Sequence, residues 1–227
     1  MAESISRWSF SSLQVYEKCP LAAKKKHIDK IPTEQHPAAE RGNQIHKAAE
    51  DYIQGITGEL PEILEGYRGL MDAMATEVLN GTTLIEGEWG FDRDWNPVAY
   101  DAPNCWVRGK LDIFRFLEPH KGEGRDWKTG KQYPPKHLQQ EQLYVVMGFS
   151  KYEALQEMDF VFDYVDQKAP NNKTHRSYTR ERHYTRLREN FTKRGLIMTS
   201  DTEFNPRPSR INCMWCDFRN NCEWAVK

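Results

Sequence analysis

The sequence predicts a mixed α/β (α+β) fold, a central β-sheet flanked by helices, on three observations. Apolar residues recur at helical spacing through roughly the first eighty positions. Short runs rich in aromatic and β-branched residues follow, separated by turn-formers. The chain then alternates helix, strand and helix before a cysteine-bearing tail. A chain of 227 residues is ordinarily one domain. Residues 1–227 are therefore expected to form a single unit, with a helical part to about residue 80, a sheet-bearing core over about 81–180, and a basic helix with the cysteine tail over about 181–227.

Taken in order, Ser9 to Ser12 supplies capping residues ahead of Leu13, Val15 and Tyr16, a short first helix interrupted near Cys19-Pro20. Ile31 to Pro37 reads as a linker. Ala38 to Ile53 is a second helix, with an apolar stripe of Ile45, Ala48, Ala49, Tyr52 and Ile53. A third runs from about Glu62 to Leu79 through Leu64, Leu70, Met71, Met74 and Val78, and Gly81 closes it. Leu84–Phe91, Trp106–Phe116 and Arg125–Lys128 read as adjacent strands, parted by turns at Pro103-Asn104 and Glu118-Pro119. Lys136–Tyr152 is helical again, Phe160–Val165 and His175–Thr179 are strands, and Arg182–Met198 is a basic helix.

Composition excludes several classes. Hydrophobic residues make up 38% and charged residues 29%, and no apolar run approaches the roughly 20 residues needed to cross a bilayer. No membrane partner is expected. Met1 to Trp8 lacks a basic region followed by an apolar stretch, so a cytoplasmic setting with reduced thiols is expected. A net charge of -1 argues against a uniformly basic coat for nucleic acid. The distribution is uneven, however, with nine Lys or Arg between Lys168 and Arg194 against Glu181 and Glu189. Such a run permits phosphate contact without specifying it. Oligomeric state is not legible in the sequence.

Four short constellations carry chemistry. Asp112 lies in Gly109-Lys110-Leu111-Asp112-Ile113-Phe114, where apolar neighbours place a carboxylate inside a buried strand, a costly position unless a cation meets it. Asp126-Trp127-Lys128 puts an acid and a base on one face of the next strand. Two acids on neighbouring strands can hold a hard cation through oxygen, and a lysine beside them can orient an attacking water. His46 shares a helix face with Gly42, Ala49 and Ile53, and Gly42 leaves room one turn before it. A nitrogen ligand there would shift preference from Mg²⁺ toward Mn²⁺. Gln140 and Tyr144 stand one turn apart, so amide and phenol share a surface.

In this order, G-x-x-x-H at Gly42 to His46, G-x-x-D at Gly109 to Asp112, D-x-K at Asp126 to Lys128 and Q-x-x-x-Y at Gln140 to Tyr144 resemble the RecB-like branch of the PD-(D/E)xK nuclease superfamily. Phe10-Ser11-Ser12-Leu13 followed by Cys19-Pro20 looks like the start of that branch. The resemblance implies a restriction-endonuclease-like core and a metal-dependent DNA nuclease, an exonuclease in recombination, repair or DNA-end processing. An endonuclease of the same superfamily and a silent, cluster-bearing DNA-binding subunit are the alternatives. By the resemblance, His46, Asp112, Asp126 and the Trp127 backbone carbonyl would ligate Mg²⁺ or Mn²⁺. Lys128 would position the water, and Gln140 and Tyr144 would help place the DNA backbone or Lys128. Asp126 stands where some relatives carry Glu. The partner would be DNA, single-stranded or with free ends. Because the chain has no G-x-x-x-x-G-K-[ST] phosphate loop, unwinding would fall to a helicase or recombination partner.

The five cysteines are Cys19, Cys105, Cys213, Cys216 and Cys222. Three in the tail cannot complete a tetrahedral site, so a fourth ligand has to come from elsewhere, and Cys19 or Cys105 could supply it. One early cysteine followed by a distant C-x-x-C-x₅-C is similar to the iron-sulfur members of the branch, the CRISPR-associated RecB-like nucleases and the AddB-type subunits. That resemblance assigns Cys19, Cys213, Cys216 and Cys222 to a [4Fe-4S] cluster, with zinc as the alternative occupant. Cys105 is expected to be a buried thiol. Arg176, Arg180, Arg182, Arg186 and Arg188 are candidates to guide a DNA strand, and Tyr178, Tyr184 and Trp215 to stack on bases.

Overall fold

The computed structural model describes residues 3–34, 37–168 and 172–226. Its helices are α1 Phe10–Lys18, α2 Pro20–His27, α3 Pro37–Ile53, α4 Arg68–Leu79, α5 Pro134–Lys151, α6 Thr185–Ser200 and α7 Arg210–Met214. Its strands are β1 Thr83–Phe91, β2 Pro97–Val98, β3 Val107–Glu118, β4 Lys121–Lys128, β5 Glu157–Tyr164 and β6 Lys173–Thr179. They form one sheet in the order β2-β1-β3-β4-β5-β6. Neighbours are antiparallel except β4 and β5. A parallel pair needs a crossover, and α5 makes it.

Helices cover both faces, as the sequence predicts. On one, Leu13 and Tyr16 of α1, Leu143 and Phe149 of α5 and Phe191 of α6 pack with Trp89, Phe114 and Phe160 of the sheet. On the other, Ile45, Ala49 and Ile53 of α3 and Met71 and Met74 of α4 meet Ile113 and Trp127. The first helix is capped as its serines suggest, with the Ser9 N–H donating to Ser12 Oγ at 2.8 Å in a capping box. Among the described residues, no helix is long and apolar enough to cross a membrane.

Three expectations need correction. The helix expected over Glu62–Leu79 divides into a 3₁₀ turn, Glu62–Tyr67, and α4. Gly66, a poor helix residue, sits at the junction. Strand β4 begins at Lys121 rather than Arg125. Its Lys-Gly-Glu-Gly start has little strand propensity, but Gly122 and Gly124 lie under the rings of Phe114 and Phe160, where an added Cβ would come within 2.7 Å of each. Packing overrides propensity here. The basic helix opens with a π-helical turn, Arg180–Tyr184, and continues to Ser200. The short β2 had no counterpart in the sequence reading. Of the expected linker, Ile31–Glu34 has no regular structure, and residues 35 and 36 lie outside the described residues.

Candidate active site

Strands β3 and β4 pair up to Ile113↔Arg125 and no further. One more step of that register would set Asp112 opposite Asp126, and like charges facing each other across a ladder are destabilising. The strands part instead. The Asp112 carboxylate fills the gap, its Oδ2 accepting the Trp127 N–H at 2.8 Å. Helix α3 leans over this opening. Arg41 near its start pairs with Asp166 at 2.6 Å, and Asp166 also accepts the Gly130 N–H at 2.5 Å. That clamp fixes α3 against the segments that follow β4 and β5. His46 then reaches in, with Nδ1 3.0 Å from Asp112 Oδ2.

Asp126 is 3% exposed. Lys128 Nζ stands 2.5 Å from its Oδ2, a buried ion pair that gives this oxygen its partner. The Gln140 amide approaches Oδ1 at 3.5 Å. Burial pushes the Asp126 carboxyl up to about 6, with Lys128 opposing the rise and Asp112 adding to it. At His46, burial disfavours the charged form. The Asp112 hydrogen bond and charge outweigh it and raise the imidazole to about 9.

One member of the site had no motif to announce it. A ligand atom from each of His46, Glu86 and Asp112 lies within 4.8 Å of the other two, while Asp126 stands outside that trio. The group could hold a divalent cation. The donors suit it, since carboxylate oxygens with an imidazole are a fitting shell for Mg²⁺ or Mn²⁺. No signal in the sequence could have found Glu86, which only the β1–β3 register sets across from Asp112.

Gln140 and Tyr144 do share a surface at this site. The Tyr144 hydroxyl donates to the Lys110 carbonyl at 2.6 Å, and the Gln140 amide lies 3.4 Å from that hydroxyl. Gly109 permits it, since a Cβ there would lie 3.0 Å from both Met147 Sδ and the Tyr144 ring. Gly42 has no such role. A Cβ at that position would meet only Thr129 Oγ1 at 3.4 Å, an ordinary contact, so the space expected beside His46 does not depend on glycine.

A cleft of about 630 Å³ opens beside the carboxylates, lined by Ser9 and Ser11 at the start of α1, Arg108 and Lys110 of β3, Lys128, and Lys136 of α5. A sequence profile of the PD-(D/E)XK nuclease superfamily matches residues 7–223. The chain belongs to this nuclease superfamily. The fold of the nuclease is similar to that in "Crystal structure of SSO0001", at 13% identity, with 100% of this chain and 91% of that one covered and a TM-score of 0.50. An alkaline exonuclease (LHK-Exo) from Laribacter hongkongensis is similar at 11% identity, with 85% and 87% covered and a TM-score of 0.42. No curated protein matches the sequence.

Elsewhere on the nuclease, Cys19, Cys213, Cys216 and Cys222 are half-buried free thiols, and Cys105 is buried as expected. The four border one small cavity of about 30 Å³, yet no three of their sulfurs fall within 4.8 Å of one another. A tetrahedral zinc site, with Zn–S near 2.3 Å, would draw them to about 3.8 Å. The expected arginine track fares differently. Arg176 pairs with the fully buried Glu141 at 2.9 Å. Arg180 donates to the carbonyls of Phe149, Tyr152 and Leu155, and Arg188 to that of Asp94. Arg182 and Arg186 are exposed. None of the five lines the cleft, whose cations come from β3, β4 and α5 instead. Tyr178, buried, donates to Glu141, and half-buried Tyr184 bonds Ser150 at 3.0 Å, so both serve packing. Trp215 is 79% exposed.

Proposed function

We propose that this nuclease is a divalent-metal-dependent DNA exonuclease of the RecB-like branch, acting on single strands or free ends in recombination, repair or end processing. The observation that carries the reading is the buried carboxylates of Asp112 and Asp126, with Lys128 2.5 Å from Asp126 and itself lining the adjoining cation-lined cleft. Asp112, Asp126, His46 and the Trp127 carbonyl would hold the cation. Bound there, Mg²⁺ or Mn²⁺ supplies an acidified water and neutralises charge on the phosphate. Lys128, anchored over the Phe162 ring at 5.0 Å, directs its ammonium to the place where that charge builds. Gln140 holds the remaining face of Asp126, and Tyr144 fixes the strand that bears Asp112.

The cleft has the scale of a small-molecule site, which suits one or two nucleotides of a threaded strand end better than an intact duplex. Residues 1–227 act as one unit, with both core clusters built on the same sheet. Cys19, Cys213, Cys216 and Cys222 hold a [4Fe-4S] cluster that ties the two ends of the chain together. The competing zinc occupancy is told apart by metal analysis and by the visible absorbance that only the cluster gives. A helicase or recombination partner would supply unwinding.

End-labelled linear and closed circular single-stranded DNA, each with Mg²⁺, Mn²⁺ or EDTA, test the proposal against Asp126→Ala. Metal-dependent loss of the linear substrate alone, abolished in the variant, is expected. Cutting of the circle would make the enzyme an endonuclease. No cutting of any DNA form by metal-replete protein would make it a binding subunit.

A further inference from the structure

Outside the carboxylate row of Glu86, Asp112 and Asp126, surplus positive charge and exposed aromatic surface gather in one place. Residues 18–30 and 206–226 carry eight Lys or Arg against Asp29, Asp217 and Glu223, on a chain whose net charge is -1. The two segments meet at the cysteine corner, where Cys19, Lys25, Arg207, Cys216, Arg219 and Trp224 border one cavity. Lys24 and Lys26 are held by Asp29 and Asp217 at 3.0 and 3.3 Å. Lys18, Arg210 and Arg219 have no ion pair among the described residues. Trp8, Trp89, Trp95, Trp106 and Trp127 are at most 2% exposed, but Trp215 is 79% and Trp224 51% exposed. Ile211, one helical turn before Trp215, is exposed as well. A chain that buries five indoles and leaves two in water beside unpaired cations is presenting a binding surface.

We propose that the cysteine corner is a second binding surface for single-stranded DNA, holding the part of the strand that extends beyond the cleft. Its phosphates lie on Lys18, Arg210 and Arg219, and its bases stack on Trp215 and Trp224. This rests on the nuclease reading above and deepens it. The charge selects a polyanion, and the indoles select one whose base faces are open, because paired bases stacked inside a duplex offer none. An apolar protein partner would leave the cations buried without counter-charges. Helix α1 joins the surface to the active site. Ser11, Gln14 and Lys18 stand at i, i+3 and i+7, on one face of that helix. Ser11 and Gln14 line the cleft, and Lys18 precedes Cys19 of the corner. The helical rise puts about 10 Å between Ser11 and Lys18, so a strand seated in the cleft by its end reaches the corner within the next few nucleotides.

Fluorescence anisotropy of labelled oligothymidylates of about 4 and about 16 nucleotides, with the full chain in reducing buffer and no added divalent ion, reads the surface without cleavage. Trp215→Ala combined with Trp224→Ala should weaken the longer strand about tenfold or more and leave the shorter one within about twofold. Arg210→Ala and Arg219→Ala should each lower the slope of log affinity against log salt by about 0.7, on the longer strand alone. Trp215→Phe keeps an aromatic face and should bind nearly as wild type. Thermal melts of all variants should match wild type, since the substituted side chains are exposed. Wild-type affinity of the double tryptophan variant for the longer strand overturns the proposal, as does an equal loss on both lengths. A duplex bound as tightly as the single strand, and weakened as much by the variant, overturns it too. So does unchanged DNA affinity with loss of a concentration-dependent dimer, which would assign the indoles to a second copy of the chain. Mg²⁺-dependent cutting by wild type alongside any of these failures leaves the nuclease reading standing. A wild type that binds through the corner and cuts nothing keeps the surface and overturns that reading.

Discussion

The carboxylate row and the cysteine corner differ in what surrounds them. Asp126 lies on β4, which pairs with β5 along its whole length, from Lys121↔Glu157 to Lys128↔Tyr164, and Trp127 beside it is 2% exposed in the core. The cysteines of the tail lie on the five-residue α7 and around a 3₁₀ turn, Arg219–Asn221. Among the described residues after Ser200, only Phe204 and Phe218 are buried. The first region takes its shape from paired strands and core packing and sets Asp112 and Asp126 close together. The second buries little apolar surface of its own, and under the proposed metal centre its folding energy would come from the metal.

The sharpest test of the contrast is Asp126→Ala. Cleavage should fall by roughly a thousandfold or more, on the scale seen when a group that stabilises transition-state charge is removed. The metal-free melting temperature should fall only modestly, because the removal leaves the mostly buried Lys128 ammonium without the carboxylate 2.5 Å away. Single-turnover cleavage and thermal melts of the same preparations read both effects. A variant that fails to fold would mean that the carboxylate row is structural after all.

Cys216→Ser should do the reverse. If the four thiolates share one metal centre, breaking it reopens a loop running from residue 19 to residue 213. The chain-entropy cost of closing a loop that long is about 5 kcal/mol. Urea unfolding should register a loss of that order or less. Limited proteolysis should cut first within residues 201–226, while Mn²⁺ affinity at the carboxylates stays within about threefold. Equal stability with and without Cys216 would show that the corner holds itself together.

The same contrast explains what was legible in the sequence. Apolar periodicity placed the long helices and most strands because burial enforces it, but not α2, α7 or β2. D-x-K was readable because alternation along a strand fixes which side chains share a face. Glu86 was not readable, since its partner lies 26 positions away and only the cross-strand register brings them together. The arginines divide for a related reason. A run of like charge says nothing about which members will be drawn onto a buried carboxylate, as Arg176 is onto Glu141, or onto orphan carbonyls, as Arg180 is. Gly122 and Gly124 hid the first half of β4, because a glycine that admits a neighbour's ring looks like a glycine that makes a turn.

Acid should separate the two regions by a smaller margin. His137, buried beneath β5 with Nδ1 2.8 Å from the Tyr164 hydroxyl, is held down to about 4 by burial and then by the charges of Lys128 and Lys136. An unfolded histidine takes its proton near pH 6.5, so between these values the unfolded chain binds more protons than the folded one. The contribution is complete above pH 6.5 and is lost as pH falls toward 4, by on the order of 3 kcal/mol. His137→Gln should flatten that limb of a stability–pH curve measured by urea unfolding. A limb of unchanged slope would assign the acid sensitivity to other groups.

The smallest effect concerns the DNA track. Lys136 lines the cleft, and its ammonium is held below its ordinary pKa by partial burial and by Lys128. Arg182 and Arg186 project from the π-helical turn and the start of α6, outside the cleft lining. A phosphate held by one lysine contributes about one unit to the slope of log affinity against log salt, whatever the base sequence. Lys136→Ala should therefore weaken single-strand binding several-fold at low salt and reduce the slope by nearly one unit. Arg182→Ala and Arg186→Ala should change affinity less than twofold and leave the slope as it was. Fluorescence anisotropy on a labelled oligonucleotide in EDTA, across a salt series, measures all three. Should the arginines carry the slope and Lys136 not, the strand would run along α6, and the cleft would serve only the nucleotide being cut.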